Sequence, residues 1–352
     1  MSRLRLPLLS SASTTLRRRR SPRSSYSSGA VITSSSASHH TPPLKLQSPL
    51  FLRPLSHSAS PSALLSFRRW AESLARSSAA DLTFDGGPSS SELIREISWL
   101  LQDATSQDGD TFLLRTDLED LYRLWRQRIE ERRPFQYIVG CQHWRDLVLA
   151  VSEGVLIPRP ETEEIVNLAA RVEGLQDGMW ADLGTGSGAI AIAIARMLGE
   201  NGKVVATDLS EMAVEVAQFN VGRYKLENKV EIRQGSWFEP LQDLQGKLSG
   251  LVSNPPYIPS SHIHGLQAEV GRHEPSLALD GGENGTDHLL RLCEGSISSL
   301  KPGGFFAFET NGDKQSEQIV DFMTTQWSNS FHDIKIEADF AGIKRFVTGF
   351  RR

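Results

Sequence analysis

Two short segments carry residues whose types and order could do chemistry. The first, "DLGTGSGA" at 182–189, alternates glycine with small polar residues. The second, "SNPPY" at 253–257, joins an Asn to two prolines and a Tyr. Each follows a short apolar run, so each is expected to begin where a buried strand ends. Because ligands of open α/β sheets bind beyond the carboxyl ends of the strands, we expect both segments to line one cleft.

The glycine-rich segment is typical of a nucleotide-binding loop. Gly184, Gly186 and Gly188 can take positive φ and let the backbone approach a ligand closely. Asp208 ends the next predicted strand, where its carboxylate could accept hydrogen bonds from both ribose hydroxyls of an adenosine group. Glycines also form plain strand-to-helix turns, but their combination with Asp208 favours ligand binding.

The loop alone is compatible with two adenosine cofactors. Gly184, Gly186 and Ala189 also satisfy the looser GxGxxA pattern of nicotinamide-binding folds. Asp182, two residues before the first glycine of a GxGxG loop that is followed two strands later by a proline-locked strand end, favours S-adenosylmethionine.

The Asn-Pro-Pro-Tyr segment is predicted to be a rigid corner that presents hydrogen-bond acceptors. A residue before proline is restricted to extended geometry, which holds Asn254 in place. Pro255 and Pro256 have fixed φ and no N–H, so their carbonyls are their only backbone hydrogen-bonding groups. The Asn254 side-chain oxygen and the Pro255 carbonyl are two acceptors that fit one planar –NH2 group. Tyr257 supplies a flat face on which a planar group can stack.

Such a corner suits methyl transfer to an amide or aniline-like nitrogen. This nitrogen is a poor nucleophile because its lone pair is delocalised. Accepting both of its N–H bonds polarises the group and fixes it facing a sulfonium methyl, and positioning with fixed dipoles can supply most of the rate. On this interpretation Asn254, Pro255 and Tyr257 are catalytic and no metal is needed. The alternative is that Asn-Pro only starts a turn.

Strands alternate with helices from about residue 160, which predicts an α/β fold with a doubly wound, mostly parallel sheet. The predicted strands are 180–184, 203–208, 229–234, 248–253, 303–310, 333–339 and 344–350. Helices are expected at 189–198, 210–223, 286–300 and 314–326. The last two strands are joined closely and are expected to form an antiparallel edge.

Two amphipathic helices precede the sheet and predict a small helical domain at residues 71–134. Apolar residues recur at helical spacing in "SSSELIREISWLLQDA" and in "TDLEDLYRLWRQRIEERR". A β-hairpin linker is expected at 135–158, and the catalytic domain at 159–352.

The chain is asymmetric in charge. Residues 1–70 contain eleven Lys or Arg, nineteen Ser and no Asp or Glu, whereas the remainder holds 27 basic and 42 acidic residues, a net charge of −15. An Arg- and Ser-rich, acid-free N-terminus is typical of an organellar transit peptide, so we expect residues 1–70 to be a disordered leader. The alternative is a basic tail that touches nucleic acid or membrane.

The composition argues against several classes of protein and site. No run approaches the ~18–20 apolar residues of a membrane-spanning helix. The two cysteines, Cys141 and Cys293, are too few for a disulfide framework or a cysteine zinc site, and the nine histidines lack metal spacing. The acidic body is a poor binder of phosphate backbones. We therefore expect no metal, no membrane association and no stable nucleic-acid binding. A monomer is also expected.

The chain resembles the HemK/PrmC family, the protein-glutamine methyltransferases that modify peptide-chain release factors. The similarity runs from about residue 90 to the C-terminus. The matching segments are "RPFQYIVG" at 133–140, "VLIPRPETE" at 155–163, "DLGTGSGAIA" at 182–191, "GSWFEPL" at 235–241 and "SNPPYI" at 253–258.

The resemblance implies a Rossmann-like, seven-stranded S-adenosylmethionine-dependent methyltransferase domain behind a helical domain that recognises the substrate. It implies that the cofactor contacts Asp182, Gly184, Thr185, Gly186, Ser187, Gly188, Asp208, Trp237 and Asn254, with Trp237 against the adenine. It implies that the substrate glutamine contacts Asn254, Pro255, Pro256 and Tyr257, and that Pro158 to Thr162 line the same cleft. The segment "FETNG" at 308–312 departs from many family members by one extra residue.

The implied reaction is methylation of the side-chain amide nitrogen of the glutamine in the Gly-Gly-Gln motif of organellar release factors. The leader and its serine content favour the chloroplast stroma of a plant, with the mitochondrion as the alternative. Two other functions stay open: an adenine N6 methyltransferase acting on DNA or RNA, and a redox or non-catalytic nucleotide-binding protein. The acidic body counts against the first, and the intact Asn-Pro-Pro-Tyr segment counts against the second.

Overall fold

The computed structural model describes residue 46 and residues 48–174 and 177–352. Most of the predicted leader therefore lies outside the described residues. No helix in the described ranges is both long and apolar enough to span a bilayer.

The described part of the N-terminal region contains three helices and a small antiparallel sheet. The helices are α1 (Pro61–Phe84), α2 (Ser90–Ala104) and α3 (Leu118–Glu130). The strands β1 (His57–Ala59), β2 (Thr105–Asp108) and β3 (Thr111–Leu114) are ordered β1-β3-β2. The helices α2 and α3 were predicted, whereas α1 and the sheet were not.

The prediction that residues 1–70 are disordered is wrong for residues 48–70. This stretch contains a 3-10 turn, β1 and the start of α1. Leu50, Leu64 and Phe67 are buried in the N-terminal core, where the Phe67 ring packs edge-on against Tyr122 at 5.1 Å. This stretch is rich in Ser and Arg, but it also contains apolar residues at helical spacing. Burial of these apolar residues stabilises a helix in spite of the polar composition. The boundary predicted at residue 71 consequently falls inside α1.

A short helix and a hairpin connect this region to the large sheet. The helix α4 (Phe135–Val139) is followed by β4 (Cys141–Trp144) and β5 (Leu147–Ala150), which pair antiparallel as the predicted hairpin. Trp144 is buried in the core of the large sheet, so the hairpin is packed against that sheet.

The large sheet has seven strands, which confirms the predicted α/β class. They are β6 (Met179–Leu183), β7 (Lys203–Asp208), β8 (Val230–Gln234), β9 (Leu248–Ser253), β10 (Leu300–Glu309), β11 (Phe331–Ala338) and β12 (Lys344–Arg351). Their order is β11-β12-β10-β9-β6-β7-β8. The strands β6 to β10 are parallel, and β12 pairs antiparallel with β10 and β11, as expected for the edge.

Helices cover both faces of this sheet. They are α5 (Glu163–Ala170), α6 (Ala189–Met197), α7 (Glu211–Arg223), α8 (Ala268–His273), α9 (Asp287–Ser299) and α10 (Asp313–Gln326). The helix α6 is apolar almost all round, because it is buried between the sheet and α5. The short helix α8 was not predicted.

The strand order reverses between β6 and β9. From β6 the chain adds β7 and β8 on one side, and then crosses over to place β9 on the other. The carboxyl ends of β6 and β9 therefore flank a switch point, the usual place for a ligand in such sheets. The glycine loop and the Asn-Pro-Pro-Tyr corner both begin there.

Candidate active site

The glycine loop joins β6 to α6 and is closed by the end of β7. The backbone N–H groups of Gly184 and Thr185 both donate to the Thr207 carbonyl at 2.9 Å. Gly186 has φ of 56°, in the left-handed region that favours glycine. A Cβ added to Gly186 would meet no atom within 4 Å, so this part of the loop faces open space.

Asp182 is a buried carboxylate with an unused oxygen. Its Oδ2 accepts from the Thr185 hydroxyl at 2.7 Å and from the Ala191 N–H at 3.1 Å. Its Oδ1 has no hydrogen-bond partner in the described part of the chain, and neither has the buried Ser187 hydroxyl. Burial raises the pKa of Asp182 to about 7, although the two hydrogen bonds oppose the shift. A donor or cation bound in the loop would relieve the cost of these unpaired groups.

Asp208 ties the glycine loop to the next helix. Its Oδ2 accepts from the Gly186 N–H and its Oδ1 from the Ser210 N–H, both at 2.9 Å. Burial raises the pKa of Asp208, while these N–H groups oppose the rise. A carboxylate has about four acceptor positions, so each oxygen can still accept from a ligand hydroxyl. The ribose contact of Asp208 stays a prediction, and the structure adds a loop-closing role that was not predicted.

Trp237 lies beside the glycine loop, as its predicted role requires. Its ring is 3.7 Å from the position that a Cβ of Gly184 would occupy. On another side the Trp237 ring contacts His288, with ring centroids 5.3 Å apart. The backbone of Trp237 has φ of 47°, an uncommon conformation for a bulky residue that is often associated with functional sites.

The proline corner is held by a chain of side-chain hydrogen bonds. Asn254 Nδ2 donates to the Thr162 hydroxyl at 3.0 Å, and this hydroxyl donates to Glu309 Oε2 at 2.7 Å. The Tyr257 hydroxyl donates to Glu309 Oε1 at 3.1 Å. Within residues 48–174 and 177–352, neither Asn254 Oδ1 nor the Pro255 carbonyl accepts a hydrogen bond. The two acceptors predicted for a substrate –NH2 group therefore have no partner in this part of the chain.

Glu309 was not among the predicted site residues. It is buried at the end of β10, where the parallel register pairs Phe308 with Ser253 and so brings Glu309 beside Asn254. Burial raises the pKa of Glu309 to about 7, against the hydrogen bonds from Thr162 and Tyr257. The available signal was a carboxylate at the end of a strand adjacent to β9, in the "FETNG" segment.

A second glycine-rich loop supports the back of the corner. A Cβ on Gly285 would lie 2.4 Å from the Tyr257 carbonyl oxygen, so only glycine allows this approach. Gln315 Nε2 donates to the carbonyls of Tyr257 and Gly285, each at 3.0 Å. Neither residue was predicted, although "DGGENG" at 280–285 is a recognisable loop signal.

The predicted lining segment, Pro158 to Thr162, contacts the corner through Thr162. Further back, the Arg159 side chain forms an ion pair with the buried Glu274. Trp144 Nε1 donates to the Arg159 carbonyl at 2.7 Å. The hairpin and the segment after α8 thus fix the backbone that presents Thr162.

Comparison with known proteins places these two loops in a family. A family model described as "Methyltransferase small domain" matches residues 166–269. The release factor glutamine methyltransferase of Synechocystis sp. is 39% identical over 268 residues, covering 72% of this chain and 88% of that protein. That of Thermosynechococcus vestitus is 42% identical over 236 residues, covering 66% of this chain and 80% of that protein.

The chain belongs to the release factor glutamine methyltransferase family. It is a methyltransferase that uses S-adenosylmethionine. Among solved structures, an S-adenosylmethionine-dependent O-methyltransferase from Thermotoga maritima is 13% identical with a TM-score of 0.41, covering 72% of this chain and 81% of that one.

The glycine loop fits this cofactor on structural grounds. It combines open space at Gly186 with the unpaired acceptors of Asp182 and Ser187 and with the spare acceptor positions of Asp208. Among the described residues, no group of three or more His, Cys, Asp or Glu side chains is arranged to hold a metal ion.

Proposed function

We propose that this protein methylates the side-chain amide nitrogen of the glutamine in the Gly-Gly-Gln motif of organellar release factors. The observation that carries the proposal is the orientation of Asn254: its nitrogen donates to the Thr162 hydroxyl, which leaves its oxygen without a partner among the described residues. Family membership supports the substrate class.

The glycine-loop side of the cleft is the proposed donor site. Asp182, Asp208 and Trp237 would hold the cofactor together with the loop residues from Gly184 to Gly188. Asn254, next to this loop, would contact both ligands. When bound, S-adenosylmethionine supplies an electrophilic methyl group on its sulfonium sulfur.

The proline corner is the proposed amide site. Asn254 Oδ1 and the Pro255 carbonyl would each accept one N–H of the substrate amide, which increases electron density on the nitrogen and fixes its direction. The Tyr257 ring would stack on the amide plane. Its hydroxyl donates to Glu309, and this hydrogen bond restricts the orientation of the ring. Pro256 keeps the corner rigid. These residues act by positioning and by fixed dipoles, which is what a neutral, weakly nucleophilic amide requires.

The N-terminal helical region is the proposed release-factor recognition domain. A buried ion-pair network joins it to α8, which follows the proline corner: Arg128 contacts Glu96 and Glu269, and Arg132 contacts Glu269. His273 also bonds to the Glu131 carbonyl at 2.8 Å. Such a joint would hold a protein substrate in a defined position relative to the cleft. We further propose that the enzyme acts as a monomer. We also propose that it does not bind nucleic acid stably, and the acidic body supports this second point.

Transfer of a labelled methyl group tests the proposed function. The purified protein is incubated with labelled S-adenosylmethionine and either an organellar release factor, its Gln→Ala variant in the Gly-Gly-Gln motif, DNA or RNA. We expect label on the unaltered release factor alone. Label on DNA or RNA, with none on the release factor, would support the adenine N6 methyltransferase instead.

We also propose import into the chloroplast stroma, with the mitochondrion as the alternative destination. The support is the Arg- and Ser-rich composition without acidic residues at the start of the chain. Since α1 belongs to the folded enzyme, the fusion to be tested is residues 1–45 in front of a fluorescent protein. Fluorescence in plastids is the expected result, and fluorescence that stays in the cytosol would refute import by this segment.

A further inference from the structure

We propose that Glu309, acting through Thr162, determines which end of the Asn254 side-chain amide faces the substrate. The inference rests on the proposed function and deepens it. It makes Glu309 and Thr162 positioning residues of the amide site, with no direct contact to either ligand.

The three residues come from different parts of the fold. Thr162 precedes α5, Asn254 follows β9, and Glu309 ends β10. Thr162 and Glu309 are 4% and 1% exposed, so water cannot readily replace either partner. The distances of 3.0 Å from Asn254 to Thr162 and 2.7 Å from Thr162 to Glu309 form a continuous chain.

The direction of these hydrogen bonds follows from counting hydrogens. An ionised carboxylate only accepts, and a hydroxyl has a single hydrogen. Glu309 is ionised above its pKa of about 7, and the Thr162 hydrogen then points to Glu309 Oε2. What Thr162 offers Asn254 is a lone pair, so Asn254 must present its –NH2 to Thr162. Its carboxamide oxygen then faces the cleft as an acceptor.

Tyr257 completes the constraint on the carboxylate. Its hydroxyl donates to Glu309 Oε1, so both oxygens of the carboxylate are used as acceptors. The buried Glu309 carboxylate thereby positions both the Asn254 side-chain oxygen, through Thr162, and the Tyr257 ring. An Asn254 amide rotated by half a turn would present a donor to the substrate –NH2, and two donors repel.

Substitutions at Thr162 separate this role from simple packing. Thr162→Val keeps the shape and removes the hydroxyl, whereas Thr162→Ser keeps the hydroxyl. Thr116→Val is the matched control, because the buried Thr116 hydroxyl also donates to a carboxylate, that of Asp120 at 3.0 Å, in the N-terminal region. Glu309→Gln is the fourth variant. A glutamine amide at this position can donate to Thr162, so the Thr162 hydrogen is no longer required to point to residue 309.

We expect Thr162→Val and Glu309→Gln to lower kcat roughly ten- to hundredfold, as expected when a buried polar group loses its partner. The KM for the release factor and the calorimetric affinity for S-adenosylmethionine should change less than about threefold, because neither residue contacts a ligand. Thr162→Ser should retain kcat within a factor of about three, and so should Thr116→Val. A fully active Thr162→Val, or a Thr162→Ser as impaired as Thr162→Val, would overturn the proposal.

A measurement without substrate keeps this inference separate from the proposed function. In NMR spectra of the ligand-free protein, the Asn254 side-chain –NH2 hydrogens, assigned by their loss in Asn254→Ala, should exchange slowly with solvent. Thr162→Val should make this exchange at least tenfold faster, and Thr162→Ser should not. Equal exchange in all three proteins would refute the positioning role even if release factors are methylated. Slow exchange in a protein that methylates no release factor would refute only the proposed function.

Discussion

The two sides of the cleft differ in how their polar groups are used before any ligand binds. On the glycine-loop side, Asp182 Oδ1 and the Ser187 hydroxyl are buried without partners in the described structure. On the proline-corner side, Asn254 Nδ2, Thr162, Glu309 and Tyr257 form one connected network. The glycine-loop side thus has polar groups that lack partners until a ligand binds. The polar side chains of the proline-corner side are already held by hydrogen bonds to one another.

This difference matches what each ligand needs. A charged cofactor can repay the cost of unpaired acceptors, about 1–3 kcal/mol for each buried polar group, when it binds. A neutral amide cannot offset as much of this cost, because its electrostatic attraction to the acceptors is weaker than that of a charged ligand. It is better served by acceptors whose direction is already set, since their ordering does not have to occur during the reaction. Substitutions on the two sides should therefore affect different kinetic quantities.

Asn254→Ala should have the largest effect, a fall in kcat of about 10²–10³, the loss seen when a comparable preorganised group is removed. The rest of the corner should persist, because Pro255 and Pro256 stay rigid. Cofactor affinity should change much less than kcat, and steady-state kinetics with calorimetry measure both. Full activity in this variant would show that Asn254 is only a turn residue.

Asp208→Ala should weaken cofactor binding roughly ten- to hundredfold, because hydrogen bonds to a charged group are worth about 1.5–3 kcal/mol. The variant also loses the bonds to Gly186 and Ser210 that close the loop. Its kcat at saturating cofactor should fall far less than that of Asn254→Ala. Calorimetry that gives an unchanged Kd would contradict the placement of the donor site.

Asp182 should make cofactor affinity depend on pH. Its pKa of about 7 means that the free protein holds a proton there at pH 6. A bound cation favours the ionised form, so binding releases this proton. Affinity should rise about fivefold from pH 6 to pH 7 and about tenfold by pH 8, then level off. Asp182→Asn should remove this dependence while retaining any contribution from the ligand's own amino group. An identical pH profile in the two proteins would argue against an ionised Asp182 in the complex.

The same raised pKa predicts how the ligand-free protein responds to pH. The unfolded chain loses this proton near 3.8 and the folded chain only near 7, so the folded state binds more protons between these values. Stability from this group should therefore fall as pH rises from about 4 to about 7. The fall should be smaller in Asp182→Asn, as measured by thermal unfolding at several pH values.

Tyr257→Phe should have the smallest effect, a decrease of about three- to tenfold in kcat/KM. It removes the hydrogen bond to Glu309 and keeps the ring that would stack on the amide. Tyr257→Leu, which also removes the ring, should be several times worse. Equal activities for the two variants would show that the ring does not stack on the substrate.

The sequence was sufficient to predict the sheet and both loops. Strand and helix periods alternate cleanly from residue 160, so all seven strands were found within a few residues of their observed ends. The glycine spacing and the two prolines identify their segments locally. In parallel strands, such local signals at strand ends are enough to infer that the segments share one edge.

What was missed depends on contacts between distant segments. Glu309 joins the site only because β10 pairs with β9, and Gln315 only because α10 lies against the loop behind Tyr257. Glu309 is recognisable as a strand-end carboxylate, but its neighbour β9 cannot be inferred locally, and no local pattern marks Gln315. In the N-terminal region a local signal was misleading. The Ser- and Arg-rich composition of residues 1–70 predicts a disordered leader, although α1 begins within this segment. Phe67 and its apolar neighbours were read as part of a leader, although tertiary packing buries them.

Locating the transferred methyl group by tandem mass spectrometry tests methylation of the glutamine side-chain amide directly. An organellar release factor is incubated with the protein and S-adenosylmethionine carrying a deuterated methyl group, and the peptide containing Gly-Gly-Gln is fragmented. We expect one added methyl on the glutamine side chain, released as labelled methylamine on acid hydrolysis of the amide. We expect no addition with Asn254→Ala on the same time scale. A methyl found on another residue, or on the backbone, would contradict the amide site.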